Sequence, residues 1–256
     1  MVFTQIKLEV KHMLFDEKQF KSRLTKVFDS NGLSSMLNIE RVEKFVKLTE
    51  ILLEENEKYN LTAIKEPDKI ILNHYADCAA LARVLPKGAR VADIGCGAGF
   101  PTLPVAILRP DLKILGVDST QKRVSYVNMA KDMLGLQNVT AICERAEDLG
   151  KGEMRESFDI VTARAVAAMR VLTELCLPLV RVGGKMIAMK GKNAEFELAE
   201  AKKAISILGG KVSATETVRL ADDTEEIIHP LIIVEKKMKT PAAYPRAFAQ
   251  ISKKPL

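Results

Sequence analysis

Residues 93–101 read DIGCGAGFP, Asp93 to Pro101, and hold three glycines at alternate positions directly behind the run ARVA of residues 89–92. Each glycine costs about 0.5–1 kcal/mol of extra conformational entropy, so three in a row imply a backbone that has to stay bare. The flanking sequence says what kind of turn this is. ARVADIG (89–95), KILGVD (113–118), NVTAICERAEDL (138–149), FDIVTARAV (158–166) and GGKMIAMKG (183–191) open with short runs rich in β-branched residues, and helical patterns separate them. Strands alternating with helices build parallel βαβ units and a doubly wound sheet. KVSATETVRL (211–220) and EIIHPLIIVEKK (226–237) instead follow one another across the polar loop ADDTE, which predicts an antiparallel edge hairpin. The expected fold is therefore α/β, a Rossmann-like and mostly parallel seven-stranded sheet. The glycines lie in the turn from its first strand into the next helix.

Upstream, from about Asp16 to Leu85, the apolar spacing is helical. In IERVEKFVKLTEILLEE the residues Val42, Phe45, Val46, Leu48, Leu52 and Leu53 fall on or near one stripe. NHYADCAALARVL (73–85) reads as a further helix, stopped by Pro86 and Gly88. Three segments follow: an N-terminal helical cap over 1–85, the α/β core over 86–240 and a basic tail over 241–256. With 47% hydrophobic and 28% charged residues in 256, the chain has the composition of a globular protein with a sizeable core. No apolar run approaches the ~18 residues of a membrane span, and MVFTQIKLEVKH lacks the continuous apolar stretch of a signal peptide. The expected address is the cytoplasm. Cys78, Cys96, Cys143 and Cys176 are far apart and form no CxxC pair, so neither a metal site nor a disulfide framework is expected. The net charge of +6 permits a polyanionic partner without demanding one.

Open α/β sheets bind ligands outside the carboxyl ends of their strands, at the position of this glycine turn. Gly95, Gly97 and Gly99 follow G-x-G-x-G, and Phe100 stands where a dinucleotide fingerprint has its third glycine, so a pyrophosphate cradle fits poorly. A bare loop also admits an amino-acid carboxylate and a ribose. The second strand ends in Asp118, a carboxylate placed to accept hydrogen bonds from vicinal ribose hydroxyls. Together these features describe an S-adenosylmethionine site better than a nicotinamide site, which uses an acid at the same tip and stays as the alternative. A ligand-free glycine turn explains neither the three glycines nor the acid. After strand three, Glu147 or Asp148 is placed to read the exocyclic amine of adenine, against the alternative of a solvated acidic turn. Arg164, ending strand four, is either a site cation or a surface residue.

NEKYNLTAI (56–64), NHYADCAAL (73–81), VADIGCGAGFPTLPVAI (91–107), VDSTQKRVSYV (117–127), ERAED, FDIVTARAVA and the terminal YPR with KKPL closely resemble the bacterial 16S rRNA (guanine-N7) methyltransferase family, also called glucose-inhibited division protein B. The likeness runs from about Phe15 to Leu256, and its most specific elements are the GAGFP loop, the NLTAI segment and the TARAV strand. The resemblance implies a class I S-adenosylmethionine-dependent methyltransferase core under an N-terminal helical cap. It implies a cofactor site including Gly95, Phe100, Ala146, Glu147 and Arg164, beside the ribose role already read for Asp118. The implied partner is 16S rRNA or the small ribosomal subunit, and the implied product is S-adenosylhomocysteine. Two departures stand out. Glu55 occupies the place of a tryptophan common in the family, and YPRAFAQISKKPL (244–256) replaces the family pattern YPRKxGTPxKKPL.

Guanine N7 carries a lone pair and no proton, so it needs no general base and no catalytic side chain is expected. Positioning supplies the catalysis, at a near-attack distance of about 3–3.5 Å. The (Asp/Asn)-Pro-Pro-aromatic tetrad of exocyclic amine methylation is absent after strand four, and no cysteine stands in a loop suited to a thiolate nucleophile. Phosphate contact falls to Lys122 and Arg123, Lys190 and Lys192, and Arg246, Lys253 and Lys254, each with the alternative of a solvated surface charge. Tyr244 either stacks on a base or packs on the hairpin. Asn60 and His74 are candidates for the guanine edge, and for His74 a core role is equally open. His229 falls in an edge-strand pattern and carries no special signal. Two rival functions remain: a methyltransferase for another RNA position or a small molecule, and a cofactor-sensing RNA-binding protein without transfer activity.

Overall fold

A computed structural model of the chain describes residues 16–256. Residues 1–15, the start of the expected helical cap, lie outside the described residues, as does Phe15, where the family likeness begins.

Seven strands form one sheet in the order β3-β2-β1-β4-β5-β7-β6. Strands β1 (Arg90–Ile94), β2 (Lys113–Asp118), β3 (Val139–Cys143), β4 (Phe158–Arg164) and β5 (Val180–Met189) run parallel. The predicted hairpin is present as β6 (Gly210–Ala221) and β7 (Glu226–Lys236). It adds to the sheet through β7, which pairs antiparallel with β5, so β6 becomes the edge. The order reverses between β1 and β4, and that switch point opens a crevice at the carboxyl ends of the strands.

Two apolar layers cover the sheet. On one face lie α1 (Glu17–Ser30), α2 (Ile39–Tyr59) and the helices that follow β1 and β2. Asp16 caps α1 by accepting the Gln19 N–H, and Asn38 caps α2 by accepting that of Arg41. Phe20, Leu24, Val27 and Phe28 form the buried stripe of α1. The α2 stripe read from the sequence faces the same core, with Phe45, Val46, Leu48 and Leu52 buried and Val42 and Leu53 partly so. The other face is covered by α3 (Met169–Cys176), α4 (Ala194–Ile207) and the C-terminal tail.

The helix predicted over 73–85 begins earlier and is not uniform. Pro67 starts a turn at Pro67–Ile70, a π-wound segment follows over Ile71–Ala76, and ordinary helix resumes over Asp77–Val84. Along this winding Ile71, Leu72, Tyr75 and Ala76 are all buried in the core. His74 and Asp77 face the end of β4. The helical cap and the hairpin are tied by polar bonds. Arg23 pairs with Asp222 and Asp223, and the Asn31 side chain exchanges hydrogen bonds with the backbone of Ala221.

Candidate active site

The glycine loop is built on left-handed backbone: φ is 74° at Gly95, 53° at Gly97 and 81° at Gly99. A Cβ on Gly95 would lie 2.6 Å from Val166 Cγ2, and one on Gly99 would lie 2.6 Å from Leu103 Cδ1. The bare backbone therefore meets both a torsional and a packing demand. Asp118, 5% exposed, holds the loop in place: its Oδ2 accepts the Gly97 N–H at 3.0 Å and its Oδ1 accepts the Thr120 N–H at 2.9 Å. Each carboxylate oxygen has a second acceptor site beyond these bonds. Arg123 stands 3.6 Å from Oδ2.

A cavity of about 260 Å³ opens above the ends of β1 and β2. Gly95, Asp118, Ala146 and Glu147 line it, with Arg123, which the sequence assigned to the RNA. Of the two acids read as adenine contacts, Glu147 is the buried cavity residue, while Asp148 is exposed and does not line it. The donor set fits a nucleoside. Two buried carboxylates can accept from hydroxyl and amine groups, and the apolar side chains of Ile94, Val117 and Leu175 supply flat walls. Ser119, Glu144, Arg145, Ala165, Val166 and Phe248 complete the lining without having been singled out in the sequence.

Gly97, Gly99, Phe100 and Arg164 do not line this cavity. Arg164 turns instead toward the helical cap. Its Nη1 donates to Asp77 Oδ2 at 3.0 Å and to the Asn73 carbonyl at 3.1 Å, and its Nη2 donates to His74 Nδ1 at 3.0 Å. Phe100 is held between the two, stacked on the His74 ring at 4.2 Å and lying 5.6 Å from the Arg164 guanidinium. His74 Nδ1 lies 3.0 Å from Arg164 Nη2, which only donates, and 3.0 Å from the Asn73 carbonyl, which only accepts, while Nε2 faces Thr62 Oγ1 at 3.2 Å. Burial and the neighbouring Arg164 charge push His74 down to about 3, so its ring is neutral and both nitrogens are engaged. Asp77 Oδ1 bonds His229 Nε2 across the cap–hairpin junction. Burial works against the His229 charge, yet the hydrogen bond and charge of Asp77 outweigh it and raise the imidazole. Thus His229, on β7 inside the sheet and not on the expected edge strand, joins Arg164, His74 and Asp77 in one network, which sequence separation concealed.

Below the loop, Asp93 is 1% exposed; its Oδ2 accepts the Thr102 hydroxyl, and its Oδ1 has no partner among the described residues. Burial raises it to about 7 against the pull of that hydrogen bond. Cys78, Cys96 and Cys176 are buried thiols held above their ordinary value by burial, and Cys143 is exposed.

The remaining substrate candidates are dispersed. Asn60 is an exposed left-handed cap on α2, and the NLT segment after it is stapled by buried Asn56, which exchanges two hydrogen bonds with the Thr62 backbone. Lys190 is committed to Glu197 and the Ala167 carbonyl, and Arg246 to Glu174. Tyr244 packs partly buried on the second core face with Arg246 beside its ring. Lys122, Lys192, Lys253 and Lys254 are exposed. Among the described residues no His, Cys, Asp and Glu group could hold a metal, and no helix is long and apolar enough to cross a membrane.

Residues 41–227 match the family model GidB, described as rRNA small subunit methyltransferase G. The chain is 43% identical over 241 residues to the ribosomal RNA small subunit methyltransferase G of Clostridium perfringens (strain 13 / Type A), an alignment covering 93% of this chain and 99% of that protein. It is 45% identical over 224 residues to the protein of the same name from Staphylococcus carnosus (strain TM300), covering 86% and 92%. A crystal structure of M. jannaschii TYW2 in complex with AdoMet is similar in fold, with a TM-score of 0.51 and 16% identity over 63% of this chain and 75% of that one.

Proposed function

This chain belongs to the rRNA small subunit methyltransferase G family, and from that premise we propose that it transfers a methyl group from S-adenosylmethionine to N7 of one guanine in 16S rRNA. The observation that carries this reading is Asp118, a buried carboxylate that locks Gly97 and lines the cavity together with Glu147.

When bound, S-adenosylmethionine supplies an electrophilic sulfonium methyl, which guanine N7 takes in line with the departing sulfur. Asp118 accepts the ribose hydroxyls through its free acceptor sites, and Glu147 accepts the adenine amine. Gly95 keeps the loop low enough for the ligand to lie against backbone. Phe100 and Arg164 act from behind that wall: bonded to Asn73, His74 and Asp77, Arg164 fixes the helical cap over the carboxyl edge where a base enters. His74 serves this positioning and not proton transfer, since its ring is neutral and both nitrogens are occupied. N7 gives up no proton on methylation, so no residue has to receive one. The exposed Lys122, Lys192, Lys253 and Lys254 neutralise rRNA phosphates, with salt-sensitive affinity as the consequence. A ribosomal RNA substrate sets the work in the cytoplasm.

The test is incubation of the purified protein with methyl-labelled cofactor and either 16S rRNA or small subunits from cells lacking the enzyme, followed by mapping of the label. One guanine, cleavable at N7-methylated sites, is the expected product. Label on ribose or adenine would assign the enzyme another position, and cofactor binding without transfer would make the protein a sensor.

A further inference from the structure

The C-terminal tail departs from the family pattern where YPRKxGTPxKKPL becomes YPRAFAQISKKPL, and the structure shows what the departure builds. With Ala249, Gln250 and Ile251 in place of the glycine-threonine-proline turn, the chain has no breaker there and forms the short helix Phe248–Lys253. Ile251 is wholly buried in the second core face. The segment before the helix is pinned: the Arg246 backbone N–H and Nε each donate at 2.9 Å to Oε1 of Glu174, and Nη2 donates at 2.6 Å to its Oε2. Arg155 donates to the carbonyls of Thr240 and Tyr244. The segment after it is held by Arg170, which donates to the carbonyls of Pro255 and Leu256. Glu174 and Arg170 belong to α3, the helix whose Leu175 lines the cavity. The tail is thus fastened at both ends to a wall of the cofactor site.

Phe248 opens the tail helix and is the one aromatic side chain among the described residues lining the cavity. The guanidinium of Arg145, the residue directly before Ala146 and Glu147, lies 5.8 Å from the Phe248 ring centroid. At 40% exposure it does not fill the core, so its position calls for a partner other than the protein. A phenyl ring beside an acid that accepts an exocyclic amine is a surface for a flat heteroaromatic base.

We propose that Phe248 is the aromatic wall of the adenine end of the cofactor pocket, which makes the C-terminal tail part of the cofactor site as well as a bearer of basic residues. The inference rests on the S-adenosylmethionine reading above. Phe248 stands at a position that the family pattern leaves open, directly before the altered residues 249–251.

The experiment is calorimetric titration of S-adenosylhomocysteine into the full-length protein, F248A and F248Y, with the ligand-free melting temperature of each recorded. F248A is expected to raise Kd about tenfold, the lower part of the range for losing one base–aromatic stack, while F248Y keeps the wild-type Kd within about twofold because the ring is retained. Because the ring is partly exposed, both variants should melt near the wild type. Wild-type affinity in F248A, or an equal loss in both variants, overturns the proposal and leaves the cofactor reading standing. No binding to the wild-type protein overturns both.

Discussion

Replacing Asp93 by asparagine tests the buried carboxylate beneath the glycine loop. In the folded chain its pKa is about 7 because burial penalises the charge, against an ordinary value of 3.8. A group whose folded pKa is raised contributes stability that is complete below the unfolded value and is lost as pH rises through the folded one. Between pH 5 and pH 8 the unfolded chain stays ionised while the folded chain loses its proton. At about 1.4 kcal/mol per unit, this withdraws about 3 kcal/mol of stability over that interval. The asparagine variant has no such proton, and its side-chain oxygen still accepts the Thr102 hydroxyl. Its amide brings a fixed cost or gain that does not vary with pH. Urea unfolding followed by circular dichroism at several pH values, wild type against D93N, isolates the titrating part as a difference. The wild type should lose ground to the variant steadily from pH 5 to pH 8. A difference that stays level within about 1 kcal/mol would refute the reasoning from burial.

Other expectations follow from the same geometry. Asp118→Ala should weaken S-adenosylhomocysteine binding by roughly 1.5–3 kcal/mol through lost charge-assisted bonds, read by calorimetry; unchanged affinity removes the ribose assignment. His229 has a raised folded pKa, so its pair with Asp77 stabilises most below the ordinary imidazole value of about 6.5 and fades as pH rises through the folded one. His229→Gln should therefore lower the melting temperature more at pH 5.5 than at pH 8.5. Arg246→Ala strands the buried Glu174 carboxylate and should cost about 3 kcal/mol or more, measured by chemical denaturation. A matching Glu174→Leu change in the same chain should restore part of it.

The sheet was legible because its signals are local: β-branched runs, helical spacing between them and a short polar loop joining β6 to β7. Asp118 and Glu147 were legible for a related reason, as Asp118 ends β2 and Glu147 lies in the short helix directly after β3, where the topology carries both to the cavity. What the sequence hides depends on distance. Asp77 and His229 are 152 positions apart, and nothing in the helical spacing of NHYADCAAL or in an alternating strand marks them as partners. Arg246 and Lys190 read as free cations because the acids that bind them, Glu174 and Glu197, look like ordinary helix carboxylates until the helices are packed. The π-wound segment escaped since Ile71, Leu72 and Tyr75 satisfy several helical periods at once. Phe248 gave no signal, since it stands at a position that the family pattern leaves open.

The ties between Arg23 and Asp222, set 199 positions apart, govern the order in which the molecule can be completed on the ribosome. At a synthesis rate of about 5–20 residues per second, roughly 10–40 s separate the making of the two partners. During that interval the first helices have emerged, and the hairpin that latches them has not been translated. The first described helix thus gains its ion pairs with Asp222 and Asp223 only after the hairpin loop clears the exit tunnel.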